Sequence, residues 1–236
     1  MYFINNLINL FVSPGRLFET IRKRTNWKDV LIPLSVLVVL GVLSLGLLKD
    51  LLIEVQLSQA VARIENDSRI PVDKKDEFIL QMEDRFTNPT PFMEAIAWVN
   101  AGLSIPIRVL FMALVLLVIG NAMLGGAVAY GKLVHMTAYV YLVNIVEQAV
   151  KVPLMLNRWS VEVYTGLGLP GLGEKGSFLH NFLAGMDFFA FWRIVLMAIG
   201  MGILYQRETK SFLWALIVFW LLQVAILAGL NMIAYS

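Results

Sequence analysis

Residues 139–156 read YVYLVNIVEQAVKVPLML. The stretch is greasy enough for a lipid bilayer, whose hydrocarbon core of about 30 Å takes roughly 20 residues of helix. Glu147 and Lys151 interrupt it. They stand four residues apart, acid first, on one helix face, the order in which each offsets the other's charge. An ionisable group at the centre of a membrane helix costs about 2.5–3.5 kcal/mol on insertion scales, so it turns inward and takes a partner.

The rest of the chain supports a membrane setting. Of 236 residues, 58% are hydrophobic and 15% charged. Ordinary soluble domains carry about 25% charged residues. The net charge of +2 is too small and scattered to imply a nucleic-acid partner. Cysteine is absent, which excludes disulfides, thiol redox chemistry and cysteine-based metal sites. The opening residues lack the charged–apolar–small order of a cleaved signal peptide.

Apolar blocks of spanning length fall at about 29–48, 103–127, 133–156, 186–205 and 212–234. They predict an all-α fold: a polytopic membrane helical bundle of five transmembrane helices, one domain over 1–236. Residues 49–95 form the long polar segment, with ten acids and six bases between Lys49 and Glu94. Its periodicity, with Pro71 opening the second half, predicts a polar helical hairpin outside the cytoplasm.

Residues 1–28 read as a cytoplasmic interfacial region. MYFINNLINLFV suggests a short amphipathic helix. Ser13 suits a cap and Pro14 the first helical position. Leu17, Phe18 and Ile21 then share one stripe, opposed by Arg16, Arg22, Lys23 and Arg24, with Lys28 following. Such a helix suits an anionic membrane surface. These five bases, with Lys132, Arg207 and Lys210 in short loops on the same side, place the N-terminus in the cytoplasm. Five spans then put the C-terminus outside, in a plasma (inner) membrane.

Other motifs are weak. GLGLPG at 166–171 matches a dinucleotide fingerprint literally, but a membrane span precedes it and Pro170 sits inside it, so it reads as a loop. His135 and His180 lie 45 residues apart by number and read as interfacial side chains. GNAMLGG, near the end of span two, offers small residues for close helix contact. No cofactor, metal site or catalytic set is indicated.

The ionisable residues inside spans are Arg108, Glu147, Lys151, Asp187 and Arg193. At 1.5 Å per residue, Glu147 and Arg193 each fall roughly 4 Å outside the middle of their spans. The other three fall nearer the outer boundary. Glu147 is therefore expected to pair across helices with Arg193, with Lys151 and Arg108 nearby.

Two stretches resemble the Yip domain family. One is SPGRLFETIRKRTNW, with Pro14, Phe18, Ile21 and Trp27. The other is MDFFAFWRIVLMAIGMG, where Asp187, Phe189, Trp192 and Gly200 keep a D-x-F-x-x-W…G spacing. The resemblance implies a multi-pass helical membrane protein without assigned catalytic residues, closest to the prokaryotic branch. Eukaryotic relatives bind Rab-type GTPases, but their D-L-Y-G-P-type segment is missing here. The reading is a non-enzymatic membrane scaffold or adaptor that contacts lipids, a protein partner at its N-terminal region and a second copy through glycine-bearing faces. The alternative is a small transporter or lipid-handling protein with an outward polar pocket.

Overall fold

The computed structural model describes residues 2–235, so Met1 and Ser236, the outermost residues of the expected domain, lie outside the described residues. The described residues are mostly helical. Two short helices, α1 (Tyr2–Val12) and α2 (Pro14–Lys23), precede the long α3 (Trp27–Asn66). Next come α4 (Val72–Thr87) and α5 (Pro91–Leu117), which runs into a π-helical turn at Val118–Met123. The remainder is α6 (Tyr130–Tyr141), α7 (Val143–Arg158), α8 (Phe178–Gly185), α9 (Phe188–Tyr205) and α10 (Thr209–Tyr235). Among the described residues the only β contact is an isolated bridge between Gly166 and Asp187.

Among the described residues, five stretches are long and apolar enough to cross a membrane: Trp27–Asn66, Pro91–Met123, Tyr130–Arg158, Phe188–Tyr205 and Thr209–Met232. The protein is an all-α polytopic helical bundle. Its helices leave apolar rows exposed at helical spacing: Val39, Leu43 and Leu47 on α3, and Trp214, Val218, Leu222, Ile226 and Leu230 on α10. A soluble protein rarely exposes so much contiguous apolar surface. Lipid is the solvent these rows suit. The 40 residues of α3 extend about 60 Å, twice the hydrocarbon thickness.

The chain divides into two compact units. The first comprises Met1–Leu37, Ile105–Glu147 and Tyr164–Ser236. In it, Leu10 of α1 and Leu17, Phe18 and Ile21 of α2 are wholly buried in one core with Met136, Tyr139, Met197 and Met201. The expected lipid-facing stripe therefore packs against protein. A stripe alone does not distinguish the two, because lipid tails are as apolar as leucine. Close fit decides it here. Gly200 on α9 has no side chain to keep away Met136 of α6 or Phe18 of α2. Arg16, Lys23, Arg24 and Lys28 stay exposed, while Arg22 pairs with Glu19 at 2.8 Å. One side of α1 enters the core, with Phe3 on Tyr139 and Phe11 edge-on to Trp192. Its Ile4, Ile8 and Val12 face outward.

The second unit comprises Val38–Ser104 and Gln148–Val163. There α3 and α5 approach so closely that a methyl added to Gly41 overlaps the backbone carbonyl of Ala101, while Gly102 lies against Val38 and Val42. Lys49 bonds Glu94 at 2.6 Å, and the Trp159 indole donates to Glu54 at 2.6 Å. Leu48, Leu51 and Val152 form a small core. No residue of α4 is buried. In the exposed turn before α4, the Arg69 guanidinium holds the Asp67 carboxyl down to about 2.

Gly41→Ala should destabilise by about 1–3 kcal/mol through overpacking against backbone that cannot yield. Gly229→Ala, which meets no atom within 4 Å, should leave the melting temperature nearly unchanged. Thermal melts of both variants check the contrast. Asp67 has its folded pKa lowered, so its contribution is present above the ordinary 3.8 and lost as pH falls through about 2. A carboxyl NMR titration should place its midpoint there, with no change near neutrality.

Candidate functional site

Span three is broken at Leu142, between α6 and α7. Asn144 lies in the first turn of α7 and Glu147 just beyond it. Across from them stands Arg193, in the second turn of α9. Its guanidinium makes a short ion pair with the Glu147 carboxylate. The same nitrogen donates to the Asn144 side-chain oxygen at 2.7 Å. The guanidinium carbon lies 5.8 Å from the centroid of the Tyr141 ring, a cation–π distance. The two charged side chains are 18% and 15% exposed.

This geometry answers the cost of placing charges in a span. The guanidinium offers five donors in a planar fork, which suits a carboxylate and an amide oxygen together. Breaking such a pair from one side leaves an uncompensated buried charge, at about 3–5 kcal/mol.

The other expected members are placed differently. Lys151 lies one turn further along α7, in the second unit. Arg108 is exposed on α5, beside the outward-facing Ile107, Leu110 and Phe111. It acts electrostatically on Tyr141, but among the described residues it has no ion-pair partner. Asp187 caps α9: its carboxylate accepts from the backbone N–H of Phe189 at 2.8 Å and Ala190 at 3.1 Å, and from the Thr165 hydroxyl at 2.5 Å. A side-chain N-cap satisfies donors that a helix start leaves open.

Asn144 and Tyr141 were missing from the sequence reading. Asn144, three residues before Glu147 on the same face, was the available signal. His135 also departs from expectation. It is wholly buried on α6 rather than interfacial. His180 is half-buried, with its ring near the Tyr164 hydroxyl. Gly120 and Gly126, from the small-residue stretch after span two, make room for the Tyr205 ring. The Tyr205 hydroxyl bonds Asn121 at 2.7 Å.

The D-x-F-x-x-W…G stretch is now accounted for part by part. Asp187 caps the helix. Trp192 gathers Phe188, Phe189 and Phe11 within ring-contact distance. Gly200 admits α2 and α6.

An internally paired charge between spanning helices and outward apolar rows define a multi-pass α-helical membrane protein. The Yip1 domain model matches residues 8–230, and the chain belongs to that family. No curated protein and no solved structure matches it.

Glu147→Gln and Arg193→Met should each destabilise by about 3 kcal/mol, and the double variant by clearly less than the sum. Unfolding of the four proteins in detergent measures the coupling. Additive losses exclude an energetic link between the two side chains.

Proposed function

We propose that the protein is a non-enzymatic membrane scaffold that presents a basic face to the cytoplasmic leaflet and to a protein partner. The observation that carries this reading is the docking of α2. Leu17, Phe18 and Ile21 fix the helix to the bundle core, and this fixing leaves Arg16, Lys23, Arg24 and Lys28 outward. A fixed basic face differs from a loose basic tail: its charges keep a constant arrangement. Each base near an anionic leaflet is worth about 1 kcal/mol. Beside it lies an open groove of about 660 Å³, lined by Glu19 and Arg22 of α2 and by Gln206, Arg207 and Glu208 after α9. Charges of both signs in one groove suit a polar protein segment.

On this reading the N-terminus is cytoplasmic, the C-terminus extracytoplasmic, and the membrane is the plasma (inner) membrane of a prokaryotic cell. The basic residues before span one and in the short loops support that orientation. The Glu147–Arg193 pair then serves helix registration rather than chemistry, and Asp187 serves as the cap of α9. One terminal nitrogen of Arg193 serves both Glu147 and Asn144, which ties the guanidinium to α7.

The transporter reading requires water or a ligand to reach Glu147. Single cysteines at positions 147, 151 and 193, in a naturally cysteine-free chain, should resist a membrane-impermeant maleimide. Rapid labelling at 147 and 193 favours the transporter. Replacing Arg16, Lys23, Arg24 and Lys28 by glutamine should lower anionic lipid retained in nanodiscs several-fold. Unchanged retention contradicts the basic-face proposal.

A further inference from the structure

Neither α1 nor α2 is long enough to cross a membrane. Their 11 and 10 residues make helices of about 15–17 Å, half the hydrocarbon thickness. Yet α1 touches the spans well away from their ends. The ring centroids of Phe3 and Tyr139 are 6.0 Å apart, and Tyr139 stands about 13 Å along span three from Tyr130. The ring centroids of Phe11 and Trp192 are 5.7 Å apart, and Trp192 stands about 20 Å along α9 from its end at Tyr205.

Arg22 fixes the level from which these depths count. Its backbone carbonyl accepts from the Lys132 ammonium at 2.7 Å, and its side chain lines a groove with Gln206 and Arg207. The end of α2, the start of span three and the end of α9 thus share one level. From there α2 reaches back along α9, with Phe18 at Gly200 and Gly15 beside Ile203. The turn between α1 and α2 therefore lies within the depth of the spans. Backbone at that depth has to be satisfied by the protein itself. The Ser13 N–H donates to the Asn9 carbonyl at 2.9 Å, and the Arg16 N–H to the Ser13 carbonyl at 2.9 Å. Pro14 has no N–H to satisfy.

The side of α1 turned away from the core is apolar. Ile4, Ile8 and Val12 recur every fourth residue on one face and are 60%, 54% and 78% exposed. Arg16, Lys23, Arg24 and Lys28 are exposed on and after α2. They suit anionic headgroups, Arg16 by snorkelling from the first turn of its helix. An apolar row in the depth, followed by bases toward the surface, matches the profile of one leaflet.

We propose that α1 and α2 form a re-entrant hairpin, and that the Ile4–Ile8–Val12 row is a binding surface for acyl chains of the cytoplasmic leaflet. The interfacial position expected from the sequence would hold α1 level with Arg22 and leave Trp192 out of reach of Phe11. A second copy fits the row less well. Three aliphatic side chains fall far short of the about 800 Å² per partner of a stable interface. The proposed orientation only names the leaflet, and the hairpin does not depend on the basic-face reading.

Nitroxide labels on the single variants Ile8→Cys, Val12→Cys and Lys28→Cys test this, since all three positions are exposed and the chain has no cysteine. The full chain is placed in vesicles of phosphatidylcholine alone. Without anionic lipid, the outcome is separate from that of the basic face. Dissolved oxygen concentrates among acyl chains, whereas a nickel chelate stays in water. The ratio of oxygen to chelate collisions should be several-fold higher at 8 and 12 than at 28. A ratio no higher at 12 than at 28 overturns the hairpin. Few collisions with either probe at 8 and 12, with spin–spin broadening between labelled copies, puts a second copy on the row and overturns the lipid surface.

Discussion

A charge inside a bilayer has no water to turn to, and the pairing of Arg193 with Glu147 is how this chain meets that constraint. The pair joins α7 to α9 in the first unit. Asn144 takes a second donor of Arg193, and the Tyr141 ring lies near the guanidinium. These contacts hold only at one register of the two helices. Buried ion pairs often add little net stability over an apolar replacement. What this one supplies is a penalty for misalignment: a slip by one turn leaves a guanidinium facing hydrocarbon.

The same logic organises the N-terminal helices. The two stretches that carry the family likeness meet in space at Phe18 and Gly200. Between them they account for a helix cap, an aromatic cluster and a close helix approach. The family signature is thus largely a packing signature. That bears on function: residues kept for packing hold a surface in place, and the surface held here is basic.

Most of the architecture was legible in the sequence because a membrane span announces itself by length and hydropathy. Five spanning stretches stood out on that ground. The Glu147–Arg193 contact was legible too, since helix rise converts residue number into depth. Other features were not, for stated physical reasons. The stripe on α2 was visible, but apolarity does not say whether lipid or protein covers it. Asp187 was counted among membrane charges by position, whereas its role follows from the backbone donors at the start of α9. His135 looked interfacial because a lone histidine gives no clue to the helices around it.

The central claim is that Glu147 and Arg193 touch within the membrane. The direct measurement is a dipolar-recoupling experiment on bilayer-embedded protein, between a ¹³C-labelled Glu147 carboxyl carbon and a ¹⁵N-labelled Arg193 guanidinium. The account predicts the strong dephasing of a hydrogen-bonded pair. Dephasing no greater than the natural-abundance background would mean that the two charges are apart, and the registration of α7 with α9 would need another cause.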